Sequence, residues 1–284
     1  MRAAGLVQSA LLAGALLASA APAGGAEAAA DAGKPLWELG LGAGMLLFND
    51  YRGSATTHAY PAPVPYFIYR GHFLKSDRNG LRGLLLGEKR IELNLSVNAT
   101  TPVRSDSARS GMPDLRPTLE IGPQLEAHLW RSADERLKLD LRVPARAAFT
   151  VEAHPHMIGM FLAPNLSLDI AQFRGAQGWK LGLLAGPLFA QRRYDEYFYS
   201  VAPQYATAGR PAYAAPGGYA GAQMLAALTR RYPSCWVGAY VRHDTLGGAS
   251  FAASPLVKRD SYWSAGFGFA WIIRRSSRLV ESDD

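Results

Sequence analysis

Cysteine is nearly missing: Cys235 is the only one in 284 residues, which excludes an intrachain disulfide and any cysteine-ligated metal cluster. Long apolar runs are missing too. Beyond the first residues no stretch reaches the roughly 18 apolar residues a spanning helix needs. Proline and glycine are not gathered at one boundary, so no linker divides the chain, and no internal repeat is visible. The formal net charge of +7 is not concentrated in a dense basic patch. Nucleic acid is therefore not an expected partner, and anionic lipid headgroups or acidic cell-wall polymer are better matched to the charge. No spaced carboxylate pair and no Ser/His/Asp arrangement occurs, so no catalytic residue, cofactor or metal ligand is expected.

The exception to the lack of apolar runs is at the start. Met1 and Arg2 precede an Ala- and Leu-rich run from Ala3 to Ala21, followed by Ala/Gly/Pro-rich sequence with small-residue cleavage candidates at 18–20 and 24–26. This is the layout of a secretory signal peptide. We assign residues 1–26 to the signal, 27–35 to an N-terminal tail, 36–273 to the folded domain and 274–284 to a charged C-terminal tail.

What the domain has in abundance is alternation. Ile91, Leu93, Leu95 and Val97 alternate with Glu92, Asn94, Ser96 and Asn98. Leu119, Ile121, Leu125 and Leu129 alternate with Glu120, Gln124, Glu126 and His128, and Leu137, Leu139, Leu141 and Val143 with Lys138, Asp140 and Arg142. Period-two alternation marks strands with one apolar and one polar face. Ten strands are expected, at about 37–48, 64–73, 80–98, 117–130, 135–149, 157–171, 178–190, 218–231, 234–245 and 260–273. Their lengths suit a tilted bilayer crossing, and the connections alternate long and short, as external loops and periplasmic turns do. Aromatic residues near strand ends add an interfacial signal. The expected fold is an all-β, closed antiparallel transmembrane β-barrel of ten strands, with twelve as the alternative, monomeric and surrounded by outer-membrane lipid.

Particular stretches then become informative. Trp37 to Gly44, Asn49-Asp50-Tyr51-Arg52-Gly53-Ser54 and the Pro61–Pro65 stretch resemble the opening of the MltA-interacting protein/OmpV family of Gram-negative outer-membrane proteins. Tyr194, Tyr197 to Val201, Tyr213 and Gly217-Gly218-Tyr219 resemble its long late loop. Ser254-Pro255-Leu256-Val257 and Gly266 to Phe269 resemble its closing segments. Family members tend to stop at an aromatic residue, whereas here Trp271-Ile272-Ile273 runs on into Arg274–Asp284. The resemblance implies a non-catalytic scaffold whose partners are a lytic transglycosylase and a murein synthase, with a small pore or a surface adhesin as alternatives. It carries no catalytic or ligand-binding residue set.

Two groups of residues are candidates for a functional site. Glu38, Glu92, Glu120, Glu126, Lys138, Asp140, Arg142, Arg146, Asp169, Lys180 and Arg242 fall on the expected interior faces and should form a lumen charge network. The second group, Arg192, Arg193, Tyr194, Tyr197, Phe198, Tyr199, Tyr205, Tyr213 and Tyr219, lies in the longest loop as a candidate contact surface, since Tyr and Arg anchor protein contacts. The same loop is equally suited to folding over the barrel mouth. His154-Pro155-His156 and His243-Asp244 are the only rim segments with residues suited to proton transfer.

Overall fold

The computed structural model describes residues 34–70, 74–77, 80–83, 86–87, 91–104 and 106–280. The expected signal at 1–26, most of the tail at 27–35 and the last four residues lie outside the described residues.

Sixteen strands are described. They are β1 (Lys34–Pro35), β2 (Trp37–Asn49), β3 (Thr57–Arg70), β4 (Leu74–Asp77), β5 (Gly80–Gly83), β6 (Leu86–Gly87), β7 (Ile91–Thr100) and β8 (Thr118–Arg131) in the first half. The second half has β9 (Leu137–Thr150), β10 (Met157–Leu162), β11 (Asn165–Ala171), β12 (Trp179–Ala190), β13 (Gly218–Arg231), β14 (Cys235–Thr245), β15 (Ser261–Arg275) and β16 (Leu279–Val280). All but β1 and β16 form one antiparallel sheet in the order β5-β4-β3-β2-β15-β14-β13-β12-β10-β9-β8-β7-β6, with β11 continuing β10 between β9 and β12. The last long strand, β15, lies against the first, β2, from Ala265↔Leu47 to Arg275↔Glu38. This wrapping produces a barrel-like, antiparallel architecture.

The faces are inverted relative to a water-soluble β-protein. Leu125 is 44% exposed and its neighbour Glu126 only 2%. Leu41, Ile91, Leu119, Leu166, Trp263, Phe267 and Trp271 also point outward, while Glu38, Asn94, Glu120, Asp140 and Arg142 are buried. Such an arrangement is stable only where the outer wall meets hydrocarbon.

The interior is not polar all round. Inward residues of β2, β3, β14 and β15 form an apolar cluster of Leu46, Ala62, Val64, Tyr66, Ile68, Trp236 and Ala270, with Tyr240 and Ile272 against it. Small residues make room for these rings. A Cβ on Gly266 would stand 2.6 Å from Tyr240 Cε1, and one on Gly238 2.4 Å from Trp236 Cζ2.

Two strand boundaries differ from expectation, and for the first the prolines supply the cause. The second strand begins at Thr57, not 64, and takes in Pro61, Pro63 and Pro65. These share one parity, opposite Met45, Ala43 and Leu41 of β2. Their missing N–H groups therefore all fall on the side away from β2, where proline is tolerated. On that side, among the described residues, β3 is paired only at Tyr69 and Arg70. Within the third expected strand, 80–98, β6 and β7 are antiparallel partners (Leu86↔Leu93, Gly87↔Glu92) and therefore two strands, while 84–85 and 88–90 lie outside the described residues. A further break, between β10 and β11 at Ala163-Pro164, is bridged by Ala163 N–H donating to the Pro144 carbonyl (3.1 Å). Beyond Ile273 the last strand continues to Arg275, and β16 then pairs with β1 (Lys34↔Val280, Pro35↔Leu279).

Candidate functional site: a charged inner wall and an external cap

Polar residues of β7, β8, β9 and β11 alternate inward, so facing registers put opposite charges side by side. Glu126 stands opposite Arg142, and Asp169 opposite Lys138. Arg142 is the hub: its Nε lies 3.1 Å from Glu126 Oε1, and its Nη2 3.6 Å from Asp140 and 3.8 Å from Asp169. Asn94 donates to Glu126 (3.2 Å). Toward the end where the helix Arg192–Tyr199 packs, Arg146 Nε lies 3.1 Å from Glu120 Oε2, and Tyr194 O–H donates to Glu120 Oε1 at 2.8 Å. At the other end His128 lies between Asp140 (2.9 Å) and Glu92 (3.5 Å), with Arg131 2.7 Å from Asp140. Lys180 is buried on the same wall.

Two of the eleven candidates belong elsewhere. Glu38 is 1% exposed and pairs with Arg231 Nη2 (2.7 Å), with Tyr66 O–H donating to it at 3.3 Å. Arg242 pairs with Asp244 (2.6 Å), which also takes Arg52 Nε from the β2–β3 loop at 3.1 Å. Among the described residues the ion pairs of Glu38 and of Arg242 share no partner with those of Arg142. Sequence reasoning missed Arg52, Arg131 and Arg231 as partners. Arg231 was findable, since it shares strand parity with inward Thr229; Arg52 was not, because nothing local says which way a loop arginine turns.

The group Glu126, His128 and Asp140 brings ligand-type atoms within 4.8 Å of one another. Arg131 and Arg142 already bond to its carboxylates, and Arg131 Nη2 also lies 2.7 Å from His128 Nδ1. Two guanidinium charges within bonding distance make this a poor cation site. At the rim, strand alternation separates His243 from Asp244. Asp244 is buried inward, whereas His243 packs on outward Trp263 (4.6 Å between centroids) and bonds Ser261 (2.6 Å). His156 bonds Thr150 (3.1 Å) and Glu152 (3.1 Å), tying down its own hairpin.

The long loop after β12 folds inward. Helix α1 (Arg192–Tyr199) begins directly at the strand end. Its backbone presses on Gly159, whose φ is +136° and where a Cβ would lie 2.6 Å from Tyr194 N. Phe198 and Tyr199 join Tyr51, Val103, Leu115, Ile158, Phe161, Leu188, Leu246 and Phe251 in an apolar core built from several loops and strand ends. Tyr199 stacks on Phe251 with centroids 3.7 Å apart. Arg109 donates to the Phe198 carbonyl (2.9 Å), Arg210 to the Ala108 and Ser110 carbonyls (3.0 and 2.8 Å), and Ser254 to the Tyr199 carbonyl (2.6 Å). Of the candidate contact residues only Arg192 and Arg193 are exposed; Tyr194, Tyr197, Tyr205, Tyr213 and Tyr219 are half-buried, and Phe198 and Tyr199 are buried. Ring burial inside this cap removes apolar area from water, which exposure of the rings would forfeit.

One group in the cap is anomalous. Asp195 is 1% exposed, and neither carboxylate oxygen has a hydrogen-bond partner. Burial raises its pKa to about 7, an effect that the Arg52 charge reduces.

An inverted antiparallel wall with a capped end defines the class: a β-stranded protein of the outer membrane. The family description "MltA-interacting protein MipA" matches residues 41–273, and the chain belongs to that family. No curated protein matches the sequence. Among solved structures the chain is similar to a bacterial polysaccharide outer membrane secretin, at 9% identity, covering 85% of this chain and 99% of that one, with a TM-score of 0.41. It is also similar to the toluene transporter TbuX of Ralstonia pickettii, at 11% identity, 87% and 71% coverage and a TM-score of 0.27. Overlaps this loose carry no functional inference.

Proposed function

We propose that this protein is a non-catalytic scaffold of the outer membrane that holds murein-cleaving and murein-synthesising enzymes against its periplasmic end. Family membership carries this reading, because the family is named for interaction with MltA. The cap supports it against the pore alternative: α1 and the Phe198–Tyr199–Phe251 core fill one end of the barrel-like wall. The charge clusters inside serve to hold the wall together, since paired buried charges become costly when one partner is lost.

The same reading includes a cleaved signal at 1–26, a monomer, and closure of the sheet into a barrel. β5 lies close to β7, which supports a circuit of ten long strand positions plus β4 and β5, matching the twelve-stranded alternative. Short turns and both chain ends would then face the periplasm, as in other outer-membrane barrels.

Cross-linking in intact cells, with photo-reactive residues at 132–136 and 276–279, tests the scaffold. Recovery of a lytic transglycosylase or a murein synthase is the expected result. Recovery of no cell-wall enzyme above background overturns it.

A further inference from the structure

One end of the wall carries a compact group of arginines. On the capped end, exposed or half-buried charges are interleaved: Arg192 with Glu196 (2.8 Å), Arg116 with Glu152 (3.7 Å), His58 with Asp50 (3.0 Å). The opposite end has one such pair, Arg136 with Asp134 (3.4 Å), and also a group of arginines. Arg274, Arg275 and Arg278 are exposed and have no ion pair among the described residues. Arg275 donates to the Pro233 carbonyl in the β13–β14 turn. Beside that turn Arg230 is held over the rings of Trp179 (5.7 Å) and Tyr232 (4.6 Å), again without an acidic partner. The acidic Glu281, Asp283 and Asp284 that follow lie outside the described residues.

This segment is built, not a frayed end. The Leu36 N–H donates to the Arg278 carbonyl (2.8 Å), the Ser276 N–H to the Trp37 carbonyl (2.8 Å), and β1 pairs with β16. The arginines are therefore held at fixed depth, immediately beyond Trp271 and Ile273. Those two are 57% and 64% exposed on the lipid-facing wall, and Leu279 is 52% exposed among the arginines. Aromatic and apolar side chains that give way to guanidinium groups within a few residues reproduce the profile of a leaflet, from acyl chain to phosphate. A soluble acidic partner would satisfy the charges but leave Ile273 and Leu279 unexplained.

We propose that Arg230, Arg274, Arg275 and Arg278 form a binding site for anionic phospholipid headgroups of the periplasm-facing leaflet, with guanidinium groups on the phosphate and Ile273 and Leu279 against the acyl chains. The proposal rests on the membrane orientation given above and is independent of any enzyme partner. It also assigns a role to the Arg274–Asp284 extension.

The full-length protein is reconstituted in phosphatidylcholine nanodiscs containing a minor fraction of phosphatidylglycerol. It is then extracted in mild detergent, and the retained lipid is measured. Wild type should retain phosphatidylglycerol over phosphatidylcholine, and each arginine near an anionic surface should contribute about five-fold to binding. The triple variant R274Q/R275Q/R278Q should lose most of that preference, while R274K/R275K/R278K, which keeps the charge, should keep most of it. Retained heat-modifiable migration of both variants shows that the wall has folded. If the glutamine variant does not fold, R278Q alone provides the measurement, with a smaller expected loss. Equal retention of the two lipids by wild type overturns the proposal, as does an unchanged preference in the glutamine variant. Binding of soluble polyglutamate without any phosphatidylglycerol preference overturns it in favour of an acidic protein surface.

Discussion

Asp195 is where a single side chain has most leverage. Its carboxyl is buried in the cap with a pKa raised to about 7 from 3.8. The folded cap therefore binds more protons than the opened one between those values, and its stability must fall as pH rises through that window. Below the lower value both states are protonated, and above the upper one the loss is complete. The slope cannot exceed about 1.4 kcal/mol per pH unit for one group. Protection factors of the α1 amides, corrected for base-catalysed intrinsic exchange, should fall from pH 4 toward pH 7 in wild type and stay level in Asp195→Asn. An equally steep response in the variant means the carboxyl is not responsible. Inside the wall, Arg142 is the counterpart. Arg142→Ala leaves Glu126, Asp140 and Asp169 without the guanidinium and should cost about 3–5 kcal/mol in unfolding by denaturant. Adding Glu126→Gln to that variant should recover part of the loss, and a purely additive pair would show the two are uncoupled.

For elements, the informative position is Gly159. Its positive φ and its contact with the Tyr194 backbone leave no space for a side chain. Gly159→Ala should dislodge α1 at a cost of about 1–3 kcal/mol. Protease cleavage within 191–217 should increase while β-sheet circular dichroism is unchanged; protection equal to wild type would mean that the helix is held elsewhere. This contact also shows where sequence reading ends. The strands β7, β8 and β9 were legible because every second residue declares its face, and the same parity reads Glu120, Glu126 and Arg142 as inward, where they are buried. Strand β3 was expected only from 64, and only the pairing with β2 reveals that the missing donors of its three prolines share one side. The loop aromatics were read as a surface with folding over the mouth as the other use. Rings with polar tips serve either use, and only tertiary contacts to Phe251, Phe161 and Leu188 decide between them.

At the scale of the whole molecule, the wall has two unlike halves. β7 to β12 carry the group of ion pairs around Arg142, and β2, β3, β14 and β15 carry the apolar rings beside the Glu38–Arg231 and Arg242–Asp244 pairs, with α1 across one end. A lumen filled in this way should give no steady openings in planar bilayers. Deleting residues 192–216 should convert the trace to resolvable steps, if the cap and not the wall is the main obstruction. Steady openings by the intact protein would favour the pore.

The clasp between β1 and β16 has one more consequence. Because Lys34 and Val280 are register partners, the two extremities leave the fold as neighbours and from the same side. Halves of a split fluorescent reporter, one fused ahead of Lys34 in the mature chain and the other after Asp284, should complement within a single molecule. Brightness would then report completed folding in living cells, strand by strand to the last.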